Sequence, residues 1–123
     1  MKNLTFVVVD DAMFMRTILK KMIGEEPSYQ VVGEAGNGLE AIEQARRNKP
    51  DILTLDITMP DMGGLEAVPK ILEVSPETRI IMVSAMGQQS MVIDAIKAGA
   101  KDFVVKPFEK SRVMQAIRNV MSV

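Results

Sequence analysis

The sequence predicts a three-layer α/β domain: one doubly wound, parallel sheet of five strands with helices on both faces. Three observations carry this. Short, nearly continuous apolar runs rich in valine and isoleucine recur at Phe6 to Val9, Val31-Val32, Ile52 to Leu55, Ile80 to Val83 and Phe103 to Val105. Runs of this kind read as strands buried on both faces, which is the pattern of a parallel sheet. Between and after them, apolar residues return with helical spacing. Turn-forming residues separate the two kinds of segment. Strict alternation of strand and helix calls for right-handed crossovers and helices on either side of the sheet.

Taken in order, the first strand runs from Phe6 to Val9 and ends in Asp10-Asp11. The helix after it places Met15, Ile18, Leu19 and Met22 at i, i+3, i+4 and i+7, and Gly24 and Pro27 close it. Val31-Val32 mark the second strand. Gly36 to Gly38 then open a helix with a small face of Ala41, Ile42 and Ala45, which stops before Pro50. The third strand, Ile52 to Leu55, ends in Asp56. The helical segment that follows begins after Gly63-Gly64 and contains Pro69, which removes a backbone donor and is expected to kink or delay that helix. The fourth strand, Ile80 to Val83, ends in Ser84, and Val92, Ala95 and Ile96 line the helix between Gly87 and Gly99. The fifth strand, Phe103 to Val105, ends in Lys106-Pro107, and Val113, Ala116, Ile117 and Val120 form the face of the last helix.

Composition narrows the chemistry. A length of 123 residues fits one domain, 1–123, with an apolar share of 47% that supports a packed core. Fifteen basic and 16 acidic residues leave a net charge of −1, which argues against a nucleic acid partner. Cysteine and histidine are both absent, so disulfides, thiolate catalysis, zinc–sulfur sites, serine–histidine triads and phosphohistidine on this chain are excluded. The apolar run before Asp10 is too short for a signal peptide core, and no stretch approaches the roughly 18 apolar residues of a spanning helix. A soluble, cytoplasmic, monomeric protein without membrane insertion is expected. The 11 methionines read first as adaptable core filling; Met59, Met62, Met86 and Met91, in loops and helix starts, could also form a forgiving contact surface.

Carboxylates, lysines, hydroxyls and hard metal ions remain. In open parallel sheets, ligands bind beyond the carboxyl ends of the strands. Asp10, Asp11, Asp56, Ser84 and Lys106 should therefore converge on one edge. Each alone has a plain structural explanation, as a helix cap, a turn residue or a solvated lysine. Together they do not. Two carboxylates about 4 Å apart repel by roughly 4 kcal/mol at an effective dielectric of about 20. Three acids with one lysine keep a negative surplus that a hard divalent cation would relieve, and oxygen ligands suit Mg²⁺. A carboxylate beside Mg²⁺ and a lysine is a plausible nucleophile toward phosphorus.

Val9-Asp10-Asp11, Asp56-Ile-Thr-Met-Pro60-Asp-Met-Gly-Gly64, Ser84-Ala85 and Lys106-Pro107-Phe108 resemble the signature of two-component response regulator receiver domains over essentially the whole chain. Ser84 to Gln89 and Lys97 to Pro107 are most similar to stand-alone chemotaxis regulators of that family. The resemblance implies a flavodoxin-like fold with strand order 2-1-3-4-5, an order that the chemotaxis members share. It implies that Asp56 is the phospho-acceptor, with Lys106 and Ser84 beside the phosphoryl group. Mg²⁺ would be held by Asp11 directly, by Asp10 through water, by Asp56 and by the backbone carbonyl of Thr58. Thr58 and Met86 match the positions that tune hydrolysis. Ser84 and Phe103 match the switch pair, Phe103 standing where chemotaxis members often carry tyrosine. The Lys106–Pro107 bond matches one the family holds cis. In the implied switch, phosphorylation draws Ser84 inward and the Phe103 ring turns from exposed to buried, which alters the surface of the fourth helix, fifth strand and fifth helix. The implied partners are a chemotaxis-type histidine kinase, the flagellar motor switch protein and a separate phosphatase, since apolar Met86 cannot orient an attacking water. Such a protein catalyses its own phosphorylation and dephosphorylation, as a switch and not a metabolic enzyme.

Other readings compete. A phosphorelay intermediate, or a receiver cut from a longer regulator, would carry the same residues. A receiver that only binds partners is disfavoured by the intact Asp, Ser and Lys set. Gly36-Asn-Gly38-Leu-Glu-Ala41 fits a dinucleotide-binding loop with Asp56 about 20 residues on, but that reading leaves Asp10, Asp11 and Lys106 idle. A flavin phosphate in the first loop would meet Asp10-Asp11 and be repelled.

Overall fold

The computed structural model describes residues 3–122; Met1, Lys2 and Val123, the ends of the expected domain, lie outside the described residues. Five strands and five helices alternate: β1 (Leu4–Val9), α1 (Met13–Gly24), β2 (Tyr29–Ala35), α2 (Gly38–Asn48), β3 (Ile52–Leu55), α3 (Gly64–Val74), β4 (Arg79–Ser84), α4 (Gln89–Ala98), β5 (Asp102–Val105) and α5 (Lys110–Met121). The strands pair in parallel in the order β2-β1-β3-β4-β5, so the expected fold and order are both present.

The two faces of the sheet follow from the two-residue period of its strands. Val7, Val9, Leu53, Leu55, Ile80, Met82 and Phe103 point toward the small residues Ala41, Ala45, Ala67 and Ala95 of α2, α3 and α4. Phe6, Val8, Ile52, Ile81, Val83 and Val104 point toward Leu19 and Ile23 of α1 and Val113, Ala116 and Ile117 of α5. Ile71 and Ile117 are fully buried on opposite faces, and truncating either to alanine would cost about 2–5 kcal/mol. Strand β2 is longer than its two valines suggest. It pairs with β1 alone, so polar and glycine positions are tolerated along it, and a bulge at Val32 shifts its register between Phe6/Val31 and Val7/Gly33.

Three expectations are modified. Pro69 does not delay its helix: α3 starts at Gly64, the second of the paired glycines, and runs through Pro69, which is exposed. On α4 only Ala95 is fully buried, while Ile96 is 47% exposed, because α4 leans on the sheet along a narrow stripe. Among the described methionines, only Met82 is fully buried. Met15, Met22, Met59, Met62, Met91, Met114 and Met121 pack half-buried at the rims of the two cores, and Met13 and Met86 are exposed. Methionine here seals edges more than it fills centres.

Candidate functional site

The carboxyl edge of the sheet is built by main-chain hydrogen bonds that outlast the strands. Asp10 N–H donates to Ala35 O (3.1 Å), Asp56 N–H to Val9 O (3.2 Å) and Lys106 N–H to Ser84 O (2.9 Å). Each strand-end residue is thus pinned to its neighbour strand, which brings the side chains expected from sequence to one place. Carboxylate oxygens of Asp10, Asp11 and Asp56 all lie within 4.8 Å of one another. Asp10 and Asp56 are buried, Asp11 is exposed. Lys106 Nζ bridges the two buried acids, at 2.6 Å from Asp10 Oδ2 and 3.1 Å from Asp56 Oδ2. Burial pulls the Lys106 pKa down, but hydrogen bonds to Asp10 and Asp56 and the charges of both acids outweigh it, and the net shift is upward from the ordinary 10.5. The Lys106–Pro107 peptide bond is cis.

The other oxygens of the acids are also engaged. Asp10 Oδ1 accepts the Ala12 N–H (2.9 Å) at the start of α1, where Ala12 itself offers no capping side chain. Asp56 Oδ1 accepts the Ile57 N–H (2.7 Å). The loop after Asp56 is turned tightly by Asp61, whose φ of 67° is the left-handed region that aspartate tolerates. It is tied back by Gly64 N–H to Ile57 O (2.8 Å) and by Gly38 N–H to Met62 O (2.8 Å). Gly64 has to be glycine: a Cβ there would stand 2.0 Å from Asp56 O.

Ser84 is buried at the end of β4, and its Oγ accepts the Met86 N–H at 3.2 Å. Thr58 and Met86, the two flanking positions, meet each other: Thr58 Oγ1 donates to Met86 Sδ at 3.1 Å, joining the β3–α3 and β4–α4 loops at the exposed mouth of the site. Phe103 is 8% exposed and packs in the core beside Met82, so the exposed starting position expected for its ring is not the one it occupies.

The loop from Gly36 to Gly38 does not offer its donors to a phosphate. Gly36 N–H goes to Glu40 Oε1 (2.8 Å), Gly38 N–H to Met62 O, and Asn37 caps α2 by accepting the Glu40 N–H (2.9 Å). The dinucleotide reading therefore fails on geometry.

Two contributions were not assigned from the sequence. Gly64 closes the Asp56-to-Gly64 signature stretch, but its close approach to the acceptor's carbonyl was not read from it. Arg16, inside α1, donates from Nη1 to Asp10 O at 2.6 Å and from Nε to Glu34 Oε1 at 2.8 Å. The signal for Arg16 is faint: a lone arginine on an otherwise apolar stretch, one and a half turns past the acid pair.

A carboxylate cluster of hard oxygens, with a charge that its one lysine does not balance, fits a hard divalent cation. The family model of the response regulator receiver domain matches residues 6–118. The chain belongs to the response regulator receiver family. Within it, the chain is 56% identical over 114 residues to chemotaxis protein CheY of Thermotoga maritima, covering 93% of this chain and 94% of that one. It is 51% identical over 116 residues to chemotaxis protein CheY of Bacillus subtilis, covering 94% and 96%. Among solved structures it resembles the CheX-CheY-BeF3-Mg complex from Borrelia burgdorferi, with a TM-score of 0.94 and 32% identity over 99% of this chain and 92% of that one. The response regulator domain of Thermotoga maritima CheB gives a TM-score of 0.88 at 35% identity over 99% of both chains. Among the described residues no helix is long and apolar enough to cross a membrane.

Proposed function

We propose that this chain is a phosphorylation-dependent switch of the chemotaxis type, a single receiver unit that accepts a phosphoryl group on Asp56. The observation that carries the reading is the bridge of Lys106 Nζ between buried Asp10 and Asp56, with Asp11 beside them at the open edge. An isolated structural ion pair would not need the third acid.

Asp11 directly, Asp10 through water, Asp56 and the Thr58 carbonyl would hold Mg²⁺, which would supply positive charge for the phosphoryl oxygens. An Asp56 carboxylate oxygen forms the new bond to phosphorus as the bond to the donor nitrogen breaks, and the electron pair leaves with the imidazole. This chain has no histidine, so the donor is another molecule, a phosphohistidine on a partner kinase or a small acyl phosphate, from which the acyl oxygen leaves instead of the imidazole. Lys106 remains against Asp10 and pairs with the phosphoryl oxygens in place of the Asp56 oxygen it now holds. Ser84 Oγ donates to one of those oxygens, which it reaches by giving up the Met86 N–H. That release frees the β4–α4 loop, where Gly87 sits so close to Val105 that a Cβ would stand 2.7 Å from it. The altered surface is the one formed by α4, β5 and α5. Since Phe103 is already buried, the change runs through the loop backbone as well as through any ring motion.

The chemotaxis assignment draws support from the CheY relatives, and binding of a partner protein from the CheX-CheY-BeF3-Mg complex of Borrelia burgdorferi; a separate phosphatase is proposed because apolar Met86 cannot orient an attacking water. The proposed output is the flagellar motor switch protein, the proposed donor a chemotaxis-type histidine kinase, and the proposed setting the cytoplasm. The test is incubation with acetyl phosphate and Mg²⁺ followed by intact mass measurement. One phosphoryl group is expected on the parent chain and none on Asp56→Asn. An unmodified parent, or equal labelling of the variant, removes the proposal. Pull-down with and without beryllofluoride, a phosphoryl mimic, then identifies the output partner.

A further inference from the structure

We propose that Arg16 is a positioning residue for the cation site: it holds the main-chain carbonyl of Asp10 and so sets the angle at which Asp10 and Asp11 present their carboxylates. The inference rests on the Mg²⁺ reading above.

The geometry is a two-point anchor. Arg16 Nε donates to Glu34 Oε1 at 2.8 Å and Nη1 donates to Asp10 O at 2.6 Å. Glu34, near the end of β2, is itself held by Lys20 Nζ at 2.6 Å. A guanidinium is a rigid planar fork, so fixing one donor on Glu34 also fixes the direction of the other. The Arg16 side chain is only 16% exposed, and the bond to Asp10 O is made largely out of water. Asp10 is thereby secured on every polar atom: N–H to Ala35 O, carbonyl to Arg16, Oδ1 to Ala12 N–H and Oδ2 to Lys106.

Asp11 has a different standing. It is exposed, so its direction is inherited from the peptide unit that joins it to Asp10. The oxygen of that peptide unit is the one Arg16 grips. Removing the grip lets the unit rotate and moves both carboxylates relative to Asp56. Partners that orient metal ligands from behind commonly change metal affinity when lost. Charge alone predicts the reverse. A guanidinium this close to the acids repels a cation, so deleting it on Coulombic grounds would tighten binding. The sign of the change therefore separates positioning from charge.

The experiment is isothermal titration of MgCl₂ into the unphosphorylated chain, for the parent, Arg16→Met and Arg16→Lys. Methionine keeps the packed stem; lysine keeps the charge but cannot bridge Glu34 and Asp10 in the fork geometry. Urea unfolding in EDTA confirms that each variant is folded, and lysine secures the test should methionine be unstable. Both variants are expected to bind Mg²⁺ more weakly, Arg16→Met by about tenfold, the lower end for ligand-orienting partners. Affinity within twofold of the parent, or tighter, in a folded variant overturns the inference. A parent chain that takes up no Mg²⁺ instead overturns the reading on which the inference stands.

Discussion

Gly64→Ala tests how closely the acceptor is built into its surroundings. Ordinary contact begins at 3.4 Å, yet a Cβ on Gly64 would lie 2.0 Å from Asp56 O, so the pair is 1.4 Å too close. It would also lie 2.9 Å from Asp56 C and 3.1 Å from Ile57 Cα, so relief cannot come from a flexible side chain. Either α3 retreats, breaking Gly64 N–H to Ile57 O, or the Asp56 peptide turns and carries its carboxylate away from Lys106. Forcing extra volume into a packed site costs about 1–3 kcal/mol. A misplacement of about 1 Å in a reacting group costs on the order of 100-fold in rate. The assay is the initial rate of phosphorylation by acetyl phosphate with saturating Mg²⁺, with urea unfolding alongside. Gly24→Ala, where an added Cβ meets nothing within 4 Å, serves as the control and keeps the parent rate. A folded Gly64→Ala protein that phosphorylates within about threefold of the parent, far short of the loss expected from misplacement, refutes the reasoning.

Thr54 Oγ1 is buried in β3 without a hydrogen-bond partner. Thr54→Val keeps the shape and removes the unpartnered hydroxyl, so the urea midpoint should rise, by about 1–2 kcal/mol of stability; a fall would mean that the hydroxyl is bonded. Met86→Glu replaces the thioether that Thr58 contacts with a carboxylate able to orient water, and the phosphorylated chain should lose its group several-fold faster, read by mass against time; an unchanged decay removes the tuning role of Met86. Lys106 has a raised pKa, so its contribution to stability is complete below the ordinary 10.5 and is lost as pH climbs through the higher folded value. The gap in urea midpoint between the parent and Lys106→Met should therefore hold at neutral pH and narrow only in strong alkali; narrowing between pH 7 and 9 contradicts the bridge to Asp10 and Asp56.

Much of the site was readable because parallel strands deliver their carboxyl ends to one edge. Once Val9, Leu55, Val83 and Val105 are recognised as strand termini, the residues after them must be neighbours, whatever their separation in sequence. Strand limits were less legible at β2, where a sheet edge accepts Gln30, Gly33 and Glu34 and blurs the apolar pattern. Contacts made across the grain of the fold left no pattern. Gly64 meets Asp56 O through a turn set by Asp61, and Arg16 reaches a carbonyl, which has no residue type to announce it. The Phe103 ring was misplaced for a similar reason: its burial is set by the layer packed on the sheet and not by the strand's own sequence.

Lys106 follows β5, which pairs with β4 alone and stands at the border of the sheet. A border strand peels away more easily than an interior one. The three acids sit after β1 and β3, well inside. Partial fraying on that side would strip away the ammonium first and leave the carboxylates gathered but uncompensated. The pocket then favours incoming positive charge while lacking the group that steadies an arriving phosphate. Loss of competence for transfer would precede any loss of the fold itself, so chemical reactivity in this molecule reports on the integrity of its β5 border.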